Sequence, residues 1–250
     1  MKITLKHKAY EHVLSRIISG KLEPGMRLCE VSLAKEIGIS PTPLREAFRQ
    51  LAAEGILEHR PNSGIIVAEI DTRKINELYE VREALESFCV RQAALKMNRL
   101  DTDKLKECLD RQAEIAQELK KSNRDVFSSE EEVEYMKADA EFHLLILAAS
   151  ENSIINKTMR ECHILGRLLG FKSHKHTLEQ VSTTIKQHHE ILKYIKKQNP
   201  DKAEHWIKAH IHFSRDTALA NRKIDHASAN SDRKTYAEKL YKSIYKMETE

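Results

Sequence analysis

Apolar residues recur at helical spacing along nearly all of the chain, and the exceptions mark its organisation. Over 6–19, Ala9, Val13 and Ile17 stand four apart with Leu14 and Ile18 beside them, which predicts an amphipathic helix. The turn-forming run GKLEPG follows over 20–25. A short helix over 30–37 then stops at Gly38, whose missing Cβ suits a left-handed backbone at a helix end. Thr42 is expected to cap the next helix, with Pro43 at its first position, and that helix ends at Gly55. Two β-prone runs, 56–59 and 65–68, flank a turn containing Pro61, Asn62, Ser63 and Gly64. After Asp71 every segment reads as helix, over 72–97, 101–121, 130–149, 152–170, 178–198 and 201–220, with polar loops over 122–132 and 226–234.

The expected fold class is therefore mostly α. A winged helix-turn-helix with a small β-hairpin wing occupies 3–70, an all-helical unit occupies 72–222, and a charged C-terminal tail or extra helix occupies 223–250. Composition agrees, since 7 Gly and 5 Pro in 250 residues are too few for the turns of an all-β protein. Cys29, Cys89, Cys108 and Cys162 are scattered without a C-x-x-C pair, the pattern of reduced thiols. The start MKITLKHKAYEHV has no apolar signal core, and no apolar run reaches the roughly 18 residues of a membrane helix. Both point to a cytoplasmic protein with no membrane partner.

A helix, a tight turn and a second helix with basic residues one turn apart form the sequence pattern of a DNA-reading helix-turn-helix. Total charge would not have suggested it: the formal net charge is +4, and residues 1–72 hold ten Lys/Arg against nine Asp/Glu. Placement matters more. Arg45 and Arg49 are placed for groove contacts, Ser40 and Thr42 for phosphates or capping, and Gly64 lies in the wing. Two arginines alone more often decorate a solvated helix face. Helix pair, caps and wing in this order favour DNA. The runs G-x-L-x-P-G-x-x-L (20–28) and LA…IG-S-x-TP-x-REA…L…EG-L, followed by the Gly-containing wing, resemble the GntR family of bacterial transcription regulators over about 8–68. Pro41 departs from a common family form with Arg just before the Thr, which shifts the burden of recognition onto Arg45 and Arg49.

The helical unit carries polar residues on apolar stripes. Asp139 and His143 stand at i, i+4 in a helix that is apolar all round from Phe142 to Ala149. His188 falls on the stripe of Ile185, Leu192 and Ile195, whereas His189 falls among lysines. His210 faces inward with Ala203, Ile207 and Phe213, whereas His205, Lys208, His212 and Arg215 face out. A single buried His is more often a hydrogen-bonded core residue. Three with one carboxylate are costly to bury unless they share a cation, and this donor set suits Zn, with Ni or Mn as alternatives. Arg82, on the stripe Ile75, Leu78, Leu85, Cys89, needs an anion: either an internal carboxylate or an effector's. Asn152 is either a helix cap or an effector contact. No inward Asp or Glu beyond Asp139 is obviously placed as a general base.

LYEVREALESFCVRQAA (78–94), D-x-x-x-H (139–143), ASEN (149–152) and HHEIL…A…H (188–210) are similar to the FadR-type ligand-binding domain called FCD. Gln187 stands where a Glu is usual, outside the ligand set. The resemblance implies an antiparallel helix bundle with a central metal on Asp139, His143, His188 and His210. The expected function is a homodimeric regulator, a repressor, whose affinity for double-stranded operator DNA is set by a small carboxylate effector; no catalysis is expected. Two alternatives stand beside it: a metalloenzyme tethered to DNA, and a constitutive regulator with a purely structural metal.

Overall fold

Helix α1 (Leu5–Ile18) buries Ala9, Tyr10, Val13, Leu14 and Ile17, the stripe its periodicity predicts, against α3. The computed structural model describes residues 4–18, 21–61, 63–69, 71–159, 162 and 176–225. Helix α2 (Glu30–Ile37) ends at Gly38, where φ is 75° and the N–H closes onto the Ala34 and Lys35 carbonyls. Helix α3 (Pro41–Ala53) begins earlier than expected. Ser40, in extended backbone, is the N-cap position, and Pro41 opens the helix. Thr42 is thus not the cap but a first-turn residue; the fixed φ and missing N–H of Pro41 suit the first position as well as those of Pro43 would. Strands β1 (Leu57–Arg60) and β2 (Gly64–Val67) pair antiparallel, Leu57 opposite Val67 and Arg60 opposite Gly64, each displaced by about one residue from the predicted runs. The segment before α2 lies along β2, with the Leu28 N–H bonded to the Ile65 carbonyl and the Val67 N–H to that of Met26. It covers an edge that would otherwise be open for pairing.

The helical unit comprises α4 (Thr72–Lys96), α5 (Arg99–Lys121), α6 (Ser129–Ala148), α7 (Leu178–Lys196) and α8 (Pro200–Asp225). Capping boxes start three of them: Asn98 with Asp101, Ser128 with Glu131, and Thr177 with Gln180. The Ser128 box starts α6 at Ser129, one residue before the helix expected over 130–149, so the overlapping 122–132 loop ends at Ser128. Helix α8 continues to Asp225, past the expected end at 220 and into the expected tail. The helix expected over 152–170 is described only over 153–159 and at residue 162, and 226–250 lies outside the described residues. In the bundle α4 packs on α8, α8 on α7, α7 on α5, α5 on α6, and α6 on α4. Helices α4 and α8 run antiparallel: Tyr79 Oη donates to the Ser214 carbonyl, and Arg91 pairs with Asp201 and Glu204. The ring leaves one shared interior for all five helices.

One buried ion pair fixes the start of α7. Glu132, almost fully buried, accepts from the His176 N–H at 3.1 Å and bonds its Nδ1, while the Leu178 N–H bonds the Asp125 carbonyl at 2.9 Å. Burial disfavours the His176 cation, but the charge and hydrogen bond of Glu132 outweigh it and raise its pKa. A histidine raised in the folded state stabilises fully below its unfolded pKa of about 6.5, and the gain is lost as pH rises through the folded value. The melting-temperature gap between wild type and His176→Gln is therefore expected to be widest near pH 6 and to shrink as pH rises, which scanning calorimetry across pH would measure.

Candidate functional site

The outer face of α3 carries Thr42, Arg45 and Arg49, all exposed, because the opposite face spends Leu44, Ala47, Phe48 and Leu51 on the core. Ser40 is exposed at the helix entrance. The Arg45 Nε donates to Glu30 at 2.6 Å, so its exposed guanidinium is held by α2. Gly64 has φ 78°, a backbone that residues with a Cβ rarely adopt, at the start of β2. A Cβ there would lie 3.7 Å from Arg27 Nε. Arg27 is thus a basic residue beside the wing that sequence reasoning passed over, since it lies between the turn read over 20–25 and the helix read over 30–37. Its register with Ile66 along the hairpin is what brings it there.

The second site lies inside the bundle. His143 of α6, His188 of α7 and His210 of α8 are buried, and each offers a nitrogen within 4.8 Å of the others. His188 and His210 face inward while His189, His205 and His212 are exposed, as the periodicity predicts; Phe213 is only half-buried. Each ring is oriented through Nδ1: His143 by Glu86 of α4 at 2.8 Å, His188 by Gln112 of α5 at 3.1 Å, and His210 by Gln187 at 3.2 Å. An amide oxygen or a carboxylate accepts, so Nδ1 carries the proton and Nε2 presents a lone pair. All five bundle helices therefore contribute a polar group to one place. Burial first, then the neighbouring imidazoles, hold His188 well below the usual histidine range; burial, then His143 and Arg82, do the same to His210. Both are neutral, the form that ligates metals.

A satisfied core histidine would have both nitrogens bonded. The His188 Nε2 is buried without a hydrogen-bond partner among the described residues, and the nearest carboxylate oxygen, on Asp139, is 3.9 Å away. Asp139 is half-buried, one turn before His143. Three imidazoles and a carboxylate fit a divalent cation such as zinc.

Besides Asp139 two further acids lie inside: Glu86 and Glu132 are each 1 % exposed, and each is engaged by a histidine. Glu86 tolerates burial because its Oε1 accepts from Arg82 Nε at 2.8 Å while Oε2 meets His143. Its position one turn after Arg82 on the same stripe was the available signal. Arg82 thereby has the internal carboxylate that its inward position required, and it also lies over the Tyr79 ring. Asn152 is exposed, and its Oδ1 caps a helical stretch by accepting from the Ile154 and Ile155 N–H groups. Among the cysteines, Cys29 is exposed and the other three are buried, all as free thiols. Among the described residues no helix is long and apolar enough to cross a membrane.

The family model "Bacterial regulatory proteins, gntR family" matches residues 5–67, and that of the FCD domain matches 77–213. A probable D-xylose utilization operon transcriptional repressor of Paenarthrobacter nicotinovorans is 27% identical over 214 residues, 84% of this chain and 87% of its own length. The gluconate operon transcriptional repressor of Bacillus subtilis is 32% identical over 148 residues, covering 59% of this chain and 55% of the relative. The solved structure of E. coli McbR/YncC has the same fold, with a TM-score of 0.65 at 21% identity, over 88% of this chain and 99% of that one. Members of this family are transcription regulators rather than enzymes. The chain belongs to the GntR family of bacterial transcription regulators and carries an FCD domain behind its winged helix.

Proposed function

We propose that this regulator is a homodimeric repressor whose operator affinity is set by a small carboxylate bound beside a divalent metal, zinc in preference to nickel or manganese, on Asp139, His143, His188 and His210. The observation that carries this reading is the buried His188 Nε2, without a hydrogen-bond partner among the described residues and set among imidazoles whose Nδ1 atoms are all held. The metal would supply Lewis-acid coordination positions that three imidazoles and one carboxylate leave for a ligand oxygen. Arg82, on the helix facing His143, takes the other end of the effector. The Asn152 side-chain oxygen is committed to its cap, so only its amide nitrogen is left for an effector contact. In the winged helix, Arg45 and Arg49 read base edges, Ser40, Thr42 and the helix N-terminus meet phosphates, and Gly64 shapes the wing.

Dimerisation has a candidate surface. Val81, Phe88 and Leu95 recur every seven residues on α4 and are 38%, 44% and 60% exposed, a stripe facing away from the bundle interior. Paired between two copies, the stripe would fix the separation of two recognition helices, and small rotations there would change the match to half-sites. Phe88→Asp is expected to convert the dimer to a monomer in light scattering and to weaken operator binding, while leaving helical content intact.

The reading is tested by elemental analysis of the purified protein and by mobility shift on its own promoter region. One zinc per chain and a shift that a carboxylate reverses support it. No shift with or without metal would refute it. A purely structural ion is the competing reading, under which no carboxylate alters operator affinity or melting temperature.

A further inference from the structure

We infer that Glu86 is the positioning residue that joins the metal centre to the effector clamp, and that its charge restricts the site to one monocarboxylate. The inference rests on the metal-and-carboxylate reading above. Glu86 divides its two oxygens between α4 and α6: Oε1 holds Arg82 Nε at 2.8 Å and Oε2 holds His143 Nδ1 at 2.8 Å. The other two imidazoles rest on the neutral amides of Gln112 and Gln187. His143 alone is backed by an anion, which makes its Nε2 the strongest donor of the three. The same carboxylate fixes the guanidinium through Nε, so the terminal nitrogens of Arg82 form the edge that a ligand carboxylate meets.

The buried charges then select the ligand. With a divalent cation bound, the three imidazoles ligate as neutral rings, and Asp139 and Glu86 against Arg82 and the cation leave one positive charge. Farther along α6 the Glu132–His176 pair compensates itself. A single ligand carboxylate neutralises the centre, whereas a second would leave the bundle interior with an uncompensated negative charge. Effectors are accordingly monocarboxylates whose additional oxygens are uncharged.

The test uses full-length wild type, Glu86→Gln and Arg82→Gln, with zinc affinity read by chelator competition. Binding of acetate, glycolate, malonate and succinate to the zinc-loaded proteins is read by calorimetry. Wild type should prefer the monocarboxylates. Glu86→Gln should weaken zinc by about 10–100-fold and, by adding a positive charge, shift preference toward the dicarboxylates. Arg82→Gln should bind zinc at least as tightly and lose the carboxylates. Unfolding could not produce opposite shifts in zinc affinity, and Arg82→Gln decides the matter if Glu86→Gln does not fold. Unchanged zinc affinity and ligand preference in Glu86→Gln, weaker zinc binding in Arg82→Gln, or a wild type that favours dicarboxylates or binds none of the four overturns the inference while leaving zinc binding intact. A wild type that takes up no zinc overturns it together with the reading beneath it.

Discussion

Stripping the metal with a chelator is expected to lower the melting temperature of the helical domain by about 10 °C, and His188→Ala to remove the metal-dependent part altogether. A ligand present at about a thousand times its dissociation constant stabilises the folded state by roughly 4 kcal/mol, and a domain of this size shifts by roughly 2–4 °C per kcal/mol. His188 is the right position because it is fully buried, its Nδ1 is tied to Gln112, and its Nε2 has no other use among the described residues. Scanning calorimetry of zinc-loaded and chelator-treated protein reads the effect. His189→Ala, one residue along and exposed, should behave as wild type in both states. Equal melting temperatures with and without metal would mean that the three imidazoles are a core cluster and nothing more.

Arg49→Ala should weaken operator binding by about 30-fold or more, since a bidentate arginine–guanine contact is worth roughly 1–3 kcal/mol and a dimer loses it twice. Arg49 is exposed on the outer face of α3, opposite the buried Phe48 face, so stability should hardly change. Arg45→Ala should cost less, because part of what Arg45 gains on DNA replaces its ion pair with Glu30. Fluorescence anisotropy on a promoter fragment, at one salt concentration, separates the two. A loss no larger for Arg49→Ala than for an exposed control such as Lys35→Ala would remove α3 from the role of reader.

What the sequence makes legible here is periodic. The inward choice of His188 over His189 and of His210 over His205 and His212 follows from 3.6 residues per turn, and so do the buried stripes of α1 and α3. Capping chemistry is legible but ambiguous. Ser40-Pro41 and Thr42-Pro43 are equivalent start signals, and the chain uses the first. Pairing across the fold is not legible. Glu86 meets His143 from 57 positions away and Gln112 meets His188 from 76, and nothing local distinguishes a buried acid with two partners from an exposed one. The same holds for Arg27, which lies just past the predicted turn and comes beside the wing only through register with Ile66.

Operator affinity of the zinc-loaded full chain, titrated with a panel of monocarboxylates and repeated on chelator-stripped protein, measures the coupling between the two sites directly. At least one monocarboxylate should weaken the zinc-loaded complex by about tenfold or more, the coupling of roughly 1–3 kcal/mol typical of allosteric regulators, and should leave the stripped protein unchanged. Identical operator affinity across metal states and across the panel would contradict metal-dependent control and leave only the DNA-binding half of the protein explained.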